Sequence, residues 1–223
     1  MNAVLTFVGA NDTDYKVQST TRIFRYEGHF ITPKRLVCGN GKLHKMFVFD
    51  LPAVKTCLNC KDCKATCYAM QAQIQYPNTR VFRETNLHLF LNNREILSNL
   101  IKMQLSRART TVVRLHGSGD FFSQEYIEFW ADIISQFPEI RFYVYTKVEQ
   151  ILDFSNINSL NNFNLISSFI DCNLNYGSLT YCQMLQNKYN AFICPCGINN
   201  DIQCGIDCKY CITNKKIYRF RQL

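Results

Sequence analysis

The sequence predicts an α/β fold, a partial (β/α) TIM-like barrel entered through a β-rich N-terminal segment, and three observations carry that reading. From residue 111 onward, short β-branched or aromatic runs alternate with amphipathic helical stretches, the pattern of parallel strands joined by right-handed crossovers. There are about four or five such units, too few to close an eight-stranded barrel. Residue types that carry chemistry follow the runs that read as strands, and in such folds function gathers at the carboxyl ends of strands.

Before residue 50 the stretches STTRIFRYEG, KRLVC and HKMFVFDLP read as strands, separated by turn signals such as CGNGK. Residues 45 to 50 form a strand that leads directly into a dense cysteine cluster. AMQAQIQY then predicts a short helix that Pro77 stops. A longer helix follows, with Leu87, Phe90, Leu91, Ile96, Leu97, Leu100 and Ile101 at helical spacing. TVVRLH is the next strand and ends in GSGDFF. Ser123 caps a helix whose apolar face is Tyr126, Ile127, Trp130, Ile133, Ile134 and Phe137. RFYVYTK is a strand, VEQILDF the centre of a short helix, and NFNLISSFID a third strand. An Asn-rich stretch to Tyr176, a helix over LTYCQMLQNKY and a fourth strand, AFICP, complete the alternation. The expected organisation is a single domain, 1–223. It comprises a β-rich segment over 1–50, a partial barrel with the first cysteine cluster over 51–195, and a C-terminal cysteine segment over 196–223.

The chain has 223 residues, 47% hydrophobic and 13% aromatic, enough for a substantial core, which excludes disordered and fibrous classes. A formal charge of +8 permits a nucleic-acid or phosphate partner without requiring one. The N-terminus has no basic stretch leading into a long apolar run, and no apolar run approaches the length that crosses a bilayer. A cytoplasmic protein with no membrane partner is the expectation. In that reducing compartment twelve cysteines argue for metal ligation or redox chemistry rather than disulfides.

Cys57, Cys60, Cys63 and Cys67 are spaced as in the bacterial ferredoxin run, except that Tyr68 stands where that run has proline. Neighbouring CxxC sulfurs in a short loop would make strained disulfides, so thiolates around one inorganic core are the simpler reading. A 4Fe-4S cluster and a tetrahedral zinc site both use such pairs. A second group, Cys204, Cys208 and Cys211, has the CxxxCxxC spacing of radical S-adenosylmethionine enzymes, but twelve residues from the chain's end rather than after the first barrel strand. It either supplies a second or shared cluster or forms a zinc loop completed by Cys194 or Cys196. One centre, or two, is compatible with these spacings. Lysines at 55, 61, 64 and 209 flank the cysteines, either balancing a cluster's negative charge or simply solvated. Cys38 and Cys182 read as buried packing residues.

The turn RLHGSGDFF offers a second constellation. Gly117 and Gly119 allow close backbone approach, and the next helix presents free N–H groups. Asp120 is placed to receive an ammonium or a ribose hydroxyl, and His116 to carry a proton. The plain alternative is a βα turn in which the glycines make the bend, Asp120 caps the helix and His116 is a core residue. Ser118, Thr146 and Lys147 line the same mouth, and Tyr145 either joins them or lies in the core.

Together these segments resemble the phage gene product 88 family. The resemblance rests on Thr56-Cys57 with Cys63, Cys67, Tyr68 and Ala69, and on residues 114 to 121 (RLHGSGDF) with Glu125, Tyr126, Ile127 and Trp130. It rests further on residues 142 to 146 (FYVYT), and on Cys194-Pro195 with Cys204, Cys208 and Cys211. It covers about residues 55 to 212 and implies a phage-borne auxiliary metabolic protein of the host cytoplasm. It also implies a radical-SAM-like partial barrel, an iron–sulfur centre and an unsettled reaction. Cys60 is an addition to the family pattern, which leaves the fourth ligand open between Cys60 and a C-terminal cysteine. The resemblance also implies that the SGDF turn binds the amino group of a cosubstrate, S-adenosylmethionine, through Asp120, with Ser118, Gly119, Thr146 and Lys147 around it.

Two function classes follow. The first is a redox or radical-SAM-like enzyme, or an electron-transfer protein, whose partner is a small-molecule substrate or an electron donor. The second is a zinc-stabilised basic protein that grips nucleic acid through segments such as NKKIYRFR, and the shortness of that tail disfavours it.

Overall fold

The computed structural model describes residues 34–39, 43, 45–60, 63–107 and 109–166 in full, and the backbone of Ser167 and of four earlier strands. Those strands form two antiparallel ladders, β1 (Leu5–Val8) with β2 (Asp14–Val17) and β3 (Phe24–Tyr26) with β4 (His29–Ile31). The main sheet has five strands in the order β5 (Val37–Cys38), β6 (Phe47–Phe49), β7 (Val112–Leu115), β8 (Arg141–Thr146) and β9 (Phe163–Ser167). β5 is antiparallel to β6, and β6 through β9 are parallel and follow one another in space as in the chain. The described strands do not close a barrel. The end of the expected third strand with Cys172, the following helix with Cys182, the fourth strand AFICP and the whole C-terminal cysteine segment lie outside the described residues.

Five helices join the strands: α1 (Tyr68–Gln75), α2 (Pro77–Asn92) and α3 (Arg94–Ser106) after β6, α4 (Gln124–Ser135) after β7, and α5 (Ser155–Ser159) after β8. Alternation along the strands sorts side chains onto two faces. Phe49, Val113, Leu115, Phe142, Val144 and Phe163 face the helices and pack with Leu97, Leu100, Ile101, Ile127, Trp130 and Ile157 in one core. The opposite face carries Met46, Tyr143 and Ile166, with Val112 and Tyr145 beside them.

α4 follows its sequence pattern. Ser123 Oγ accepts from the Tyr126 N–H at 3.2 Å, and all six residues of the expected apolar face are buried. Four expectations are corrected. Pro77 ends α1 but also begins α2, since a residue without an N–H and with a fixed φ suits the first position of a helix. The single long helix is two, broken at Asn93, whose backbone (φ −148°, ψ 58°) leaves the helical region; the break rephases the stripe and leaves Leu91 57% exposed. The VEQILDF stretch makes only a turn, with the Ile151 and Leu152 N–H groups both returning to Val148 O, and the helix starts later at Ser155. Cys38, expected in the core, is exposed on the short strand β5.

Candidate functional site

The carboxyl ends of β6, β7 and β8 meet in one place. β6 runs into Asp50 and then into the cysteine loop, which ends where Tyr68 opens α1. β7 runs into the turn of residues 116–120, and β8 ends at Thr146 and Lys147. Backbone bonds join the first two ends, His116 N to Phe49 O at 2.8 Å and Leu51 N to Ser118 O at 3.0 Å. Gly119, at φ +82°, packs so closely that a Cβ there would lie 2.5 Å from Thr56 Oγ1 and 2.7 Å from Leu51 Cβ.

Asp120 ties the turn to β8. Its Oδ1 accepts from Thr146 Oγ1 at 2.7 Å and from the Phe121 N–H at 2.8 Å, and its Oδ2 accepts from the Lys147 N–H at 2.9 Å. Burial nonetheless raises its pKa to about 6, partly offset by those three donors. Ser118 and Thr146 are both buried, Thr146 holding the Val148 N–H as well, while Ser118 Oγ has no partner among the described residues. His116 sits at φ +58° and is buried among Phe121 and Tyr126, its Nε2 3.0 Å from the Tyr126 hydroxyl. Burial, with help from the Arg114 charge, pushes its pKa down to about 3, so the imidazole is neutral at ordinary pH. Its surroundings are those of a core histidine.

The cysteine loop lies against these strand ends. Val54, at φ +68°, turns the chain into it, an uncommon backbone for a β-branched residue. Asn59 Nδ2 donates to Lys147 O at 3.1 Å, and Tyr68 OH donates to Gly117 O at 2.8 Å, so the loop is fixed to β8 by one arm and to β7 by the other. Cys57, Cys60, Cys63 and Cys67 are all free, half-buried thiols. Burial pushes the Cys57 thiol up to about 12, with Asp120, Cys60 and Cys63 adding to it. Burial also raises Cys60, which is hydrogen-bonded to Cys63 and within electrostatic reach of Cys67; the Lys147 charge acts in the opposite direction. The loop thus brings its thiols to each other and to Asp120 and Lys147. Among the described residues no three His, Cys, Asp or Glu side chains are arranged to hold a metal ion. Cys194, Cys204, Cys208 and Cys211 lie outside them. Of the flanking lysines, Lys55 pairs with Glu84 at 2.8 Å on the surface and Lys64 is exposed.

Four residues of this region, Asp50, Arg83, Arg114 and Tyr68, were given no site role by the sequence reading. Asp50 Oδ2 accepts from Arg83 of α2 at 3.0 Å, both side chains largely buried, and Arg83 also donates to Ala69 O at 2.9 Å and Gln73 Oε1 at 3.3 Å. Arg114 lies on the sheet face away from the helices, and Tyr68 bridges the loop to the turn. A signal for Arg114 was present: strand alternation puts it opposite in direction to Val113 and Leu115, a charge inside a β-branched run. No comparable signal marked Arg83, because a polar residue on an amphipathic helix reads as solvated.

Comparison with known proteins gives a single consistent match. The family model described as Gene product 88 matches residues 23–214. The chain is similar to the gene 88 proteins of Mycobacterium phage D29 and Mycobacterium phage L5, 30% identical to each over 74 residues, 33% of this chain. That stretch spans 31% of the length of these curated relatives. No solved structure matches the chain. Among the described residues no helix is long and apolar enough to cross a membrane.

Proposed function

The chain belongs to the phage gene product 88 family, and from that membership and the geometry at the strand ends we propose that it is a thiolate-ligated iron–sulfur protein with a redox or radical-SAM-like role in the host cytoplasm. The observation that carries this reading is the placement of four free thiols in one loop, anchored to β7 and β8 by Tyr68 and Asn59. In this reading the four parallel strands are the wall of a partial barrel, with the cysteine loop at its mouth.

The donor set suits a 4Fe-4S cluster: soft sulfur ligands at ferredoxin-like spacing, with Lys147 beside Cys60 to offset negative charge. Cys57, Cys60, Cys63 and Cys67 would hold it, with Cys194, Cys204, Cys208 and Cys211 as the further ligand source. When bound, such a cluster supplies one-electron transfer. The chain's own residues do the rest. Leu51, Thr56 and Gly119 close the base of the loop against the SGD turn. Asp120 and Thr146 hold the neighbouring strand ends in register, so that the turn and Lys147 face the thiols together. An amino-bearing cosubstrate such as S-adenosylmethionine would meet Asp120 through the one lone-pair direction its three donors leave open.

Anoxically purified protein should be brown, with broad absorbance near roughly 400 nm and matching iron and sulfide. Cys63→Ala and Cys67→Ala should each remove the colour. Colourless protein carrying about one or two zinc ions per chain would replace this reading with the zinc-stabilised one.

A further inference from the structure

The sheet face opposite the helices holds a charge with no ion-pair partner of its own among the described residues, the nearby Asp50 being paired with Arg83. The strand registers place Val48, Arg114, Tyr143 and Asn164 in one row across β6, β7, β8 and β9. Arg114 is the only charged residue of that row. Its Nε is shielded from solvent, and among the described residues it has no hydrogen-bond partner. The guanidinium carbon lies 5.2 Å from the Tyr145 ring centroid. A cation–π contact of this kind uses the face of the guanidinium and none of its N–H groups. Asp50 is the carboxylate within electrostatic reach, and it is already paired with Arg83 at 3.0 Å. Two arginines therefore share one carboxylate, and the group carries one surplus positive charge.

The surroundings of Arg114 are phenolic. Tyr68, Tyr143 and Tyr145 all lie within electrostatic reach of it, and Tyr68 follows Cys67 directly. Gly117 packs closely against the Asp50 side of this corner, where a Cβ would sit 2.6 Å from Asp50 Oδ1 and 2.8 Å from Val48 Cγ1. Arg114 is half-buried with its Nε shielded, and a planar fork matches a carboxylate or a phosphate with two parallel bonds.

We propose that Arg114 is the receptor for the anionic group, a carboxylate or a phosphate, of a small molecule that binds on this sheet face beside the cysteine loop. This goes beyond the metal reading and does not depend on it. The surplus charge selects the anion, the Tyr145 ring packs beside the fork, and the bound group lies near the Tyr68 end of the loop.

The test is titration calorimetry and thermal melting of the full chain with orthophosphate and, separately, acetate, against chloride at matched ionic strength. Iron is assayed on the same samples, so that loss of metal and loss of anion binding are read independently. At least one of the two anions should bind and raise the melting temperature, and which one does so identifies the chemistry. Arg114→Gln should weaken that binding by about tenfold or more, and Arg114→Lys, which keeps charge without the fork, by less. Arg114→Gln should also melt higher than the parent in anion-free buffer, because it removes a charge with no ion-pair partner of its own. Lys102→Gln, at an exposed ion pair with Asp132, should bind as the parent does. Three results would overturn the proposal: neither anion acting beyond chloride, unchanged binding by Arg114→Gln, or an Arg114→Gln protein that misfolds or melts lower, which would make Arg114 a structural residue.

Discussion

Thr146 Oγ1 lies 2.7 Å from Asp120 Oδ1 and donates to it, joining the end of β8 to the turn that follows β7. With the Lys147 and Phe121 N–H groups the carboxylate has three donors and needs no partner from outside to be satisfied. Asp120→Asn should therefore cost about 1–3 kcal/mol, because an amide N–H₂ is turned toward a donor that it cannot accept from. Thr146→Val should cost less, and the pair should show coupling in a double-mutant cycle of urea unfolding. Additive losses would mean that the bond contributes nothing.

Acid should destabilise the protein through His116. Its folded pKa, about 3, lies below the unfolded value of 6.5, so the folded state binds fewer protons. Its contribution is fully present above pH 6.5 and is lost as pH falls toward about 3, amounting to about 2 kcal/mol by about pH 5. Asp120, raised to about 6, acts in the opposite sense and gains stability as pH falls from about 6 toward its unfolded value of 3.8. His116→Asn keeps a residue type at home in the left-handed region and removes the titration. Urea midpoints for this variant should rise relative to the parent on acidification, and parallel pH profiles would show that His116 is not the group responsible.

Removing Arg83 should be severe. Arg83→Met leaves Asp50 buried without its partner and frees the Ala69 carbonyl, an expected loss of about 3–5 kcal/mol. Arg83→Met combined with Asp50→Asn should recover part of that loss. A double variant no better than the single would locate the cost in the helix contacts rather than in the stranded carboxylate.

Gly119→Ala should lower stability by about 2 kcal/mol or more, since both its φ of +82° and its contact with Thr56 and Leu51 exclude a methyl group. Thr56→Ala in the same chain should relieve only part of this, because the Leu51 contact and the backbone remain. Thermal melts of the two variants check it, and full rescue would show that the hydroxyl alone sets the fit.

The elements with one strong period were legible in the sequence. β7, β8 and α4 combine a clean hydrophobic alternation or stripe with a cap or turn residue at each end, and the structure puts them where that pattern places them. Asn93 was not legible as a break, because asparagine interrupts a helix only when the surrounding packing favours two axes. The turn over residues 148–153 reads as a helix by composition and is overruled by the Val148 carbonyl taking both returning N–H groups. At the site, the cysteine spacing and the SGD turn were visible as residue types. What those residues bond to was not visible: Asp120 satisfied from within, His116 enclosed by aromatic rings, and Arg114 without a carboxylate of its own.

The two anchors of the cysteine loop have a mechanical consequence. Asn59 grips the end of β8 while Tyr68 grips the turn after β7, so the sulfur atoms of Cys60, Cys63 and Cys67 hang on a strap stretched between adjacent strands. Any ligand that wedges those strands apart, or lets them slide, tugs on the strap and changes the spread of Cys60, Cys63 and Cys67 without touching one of them.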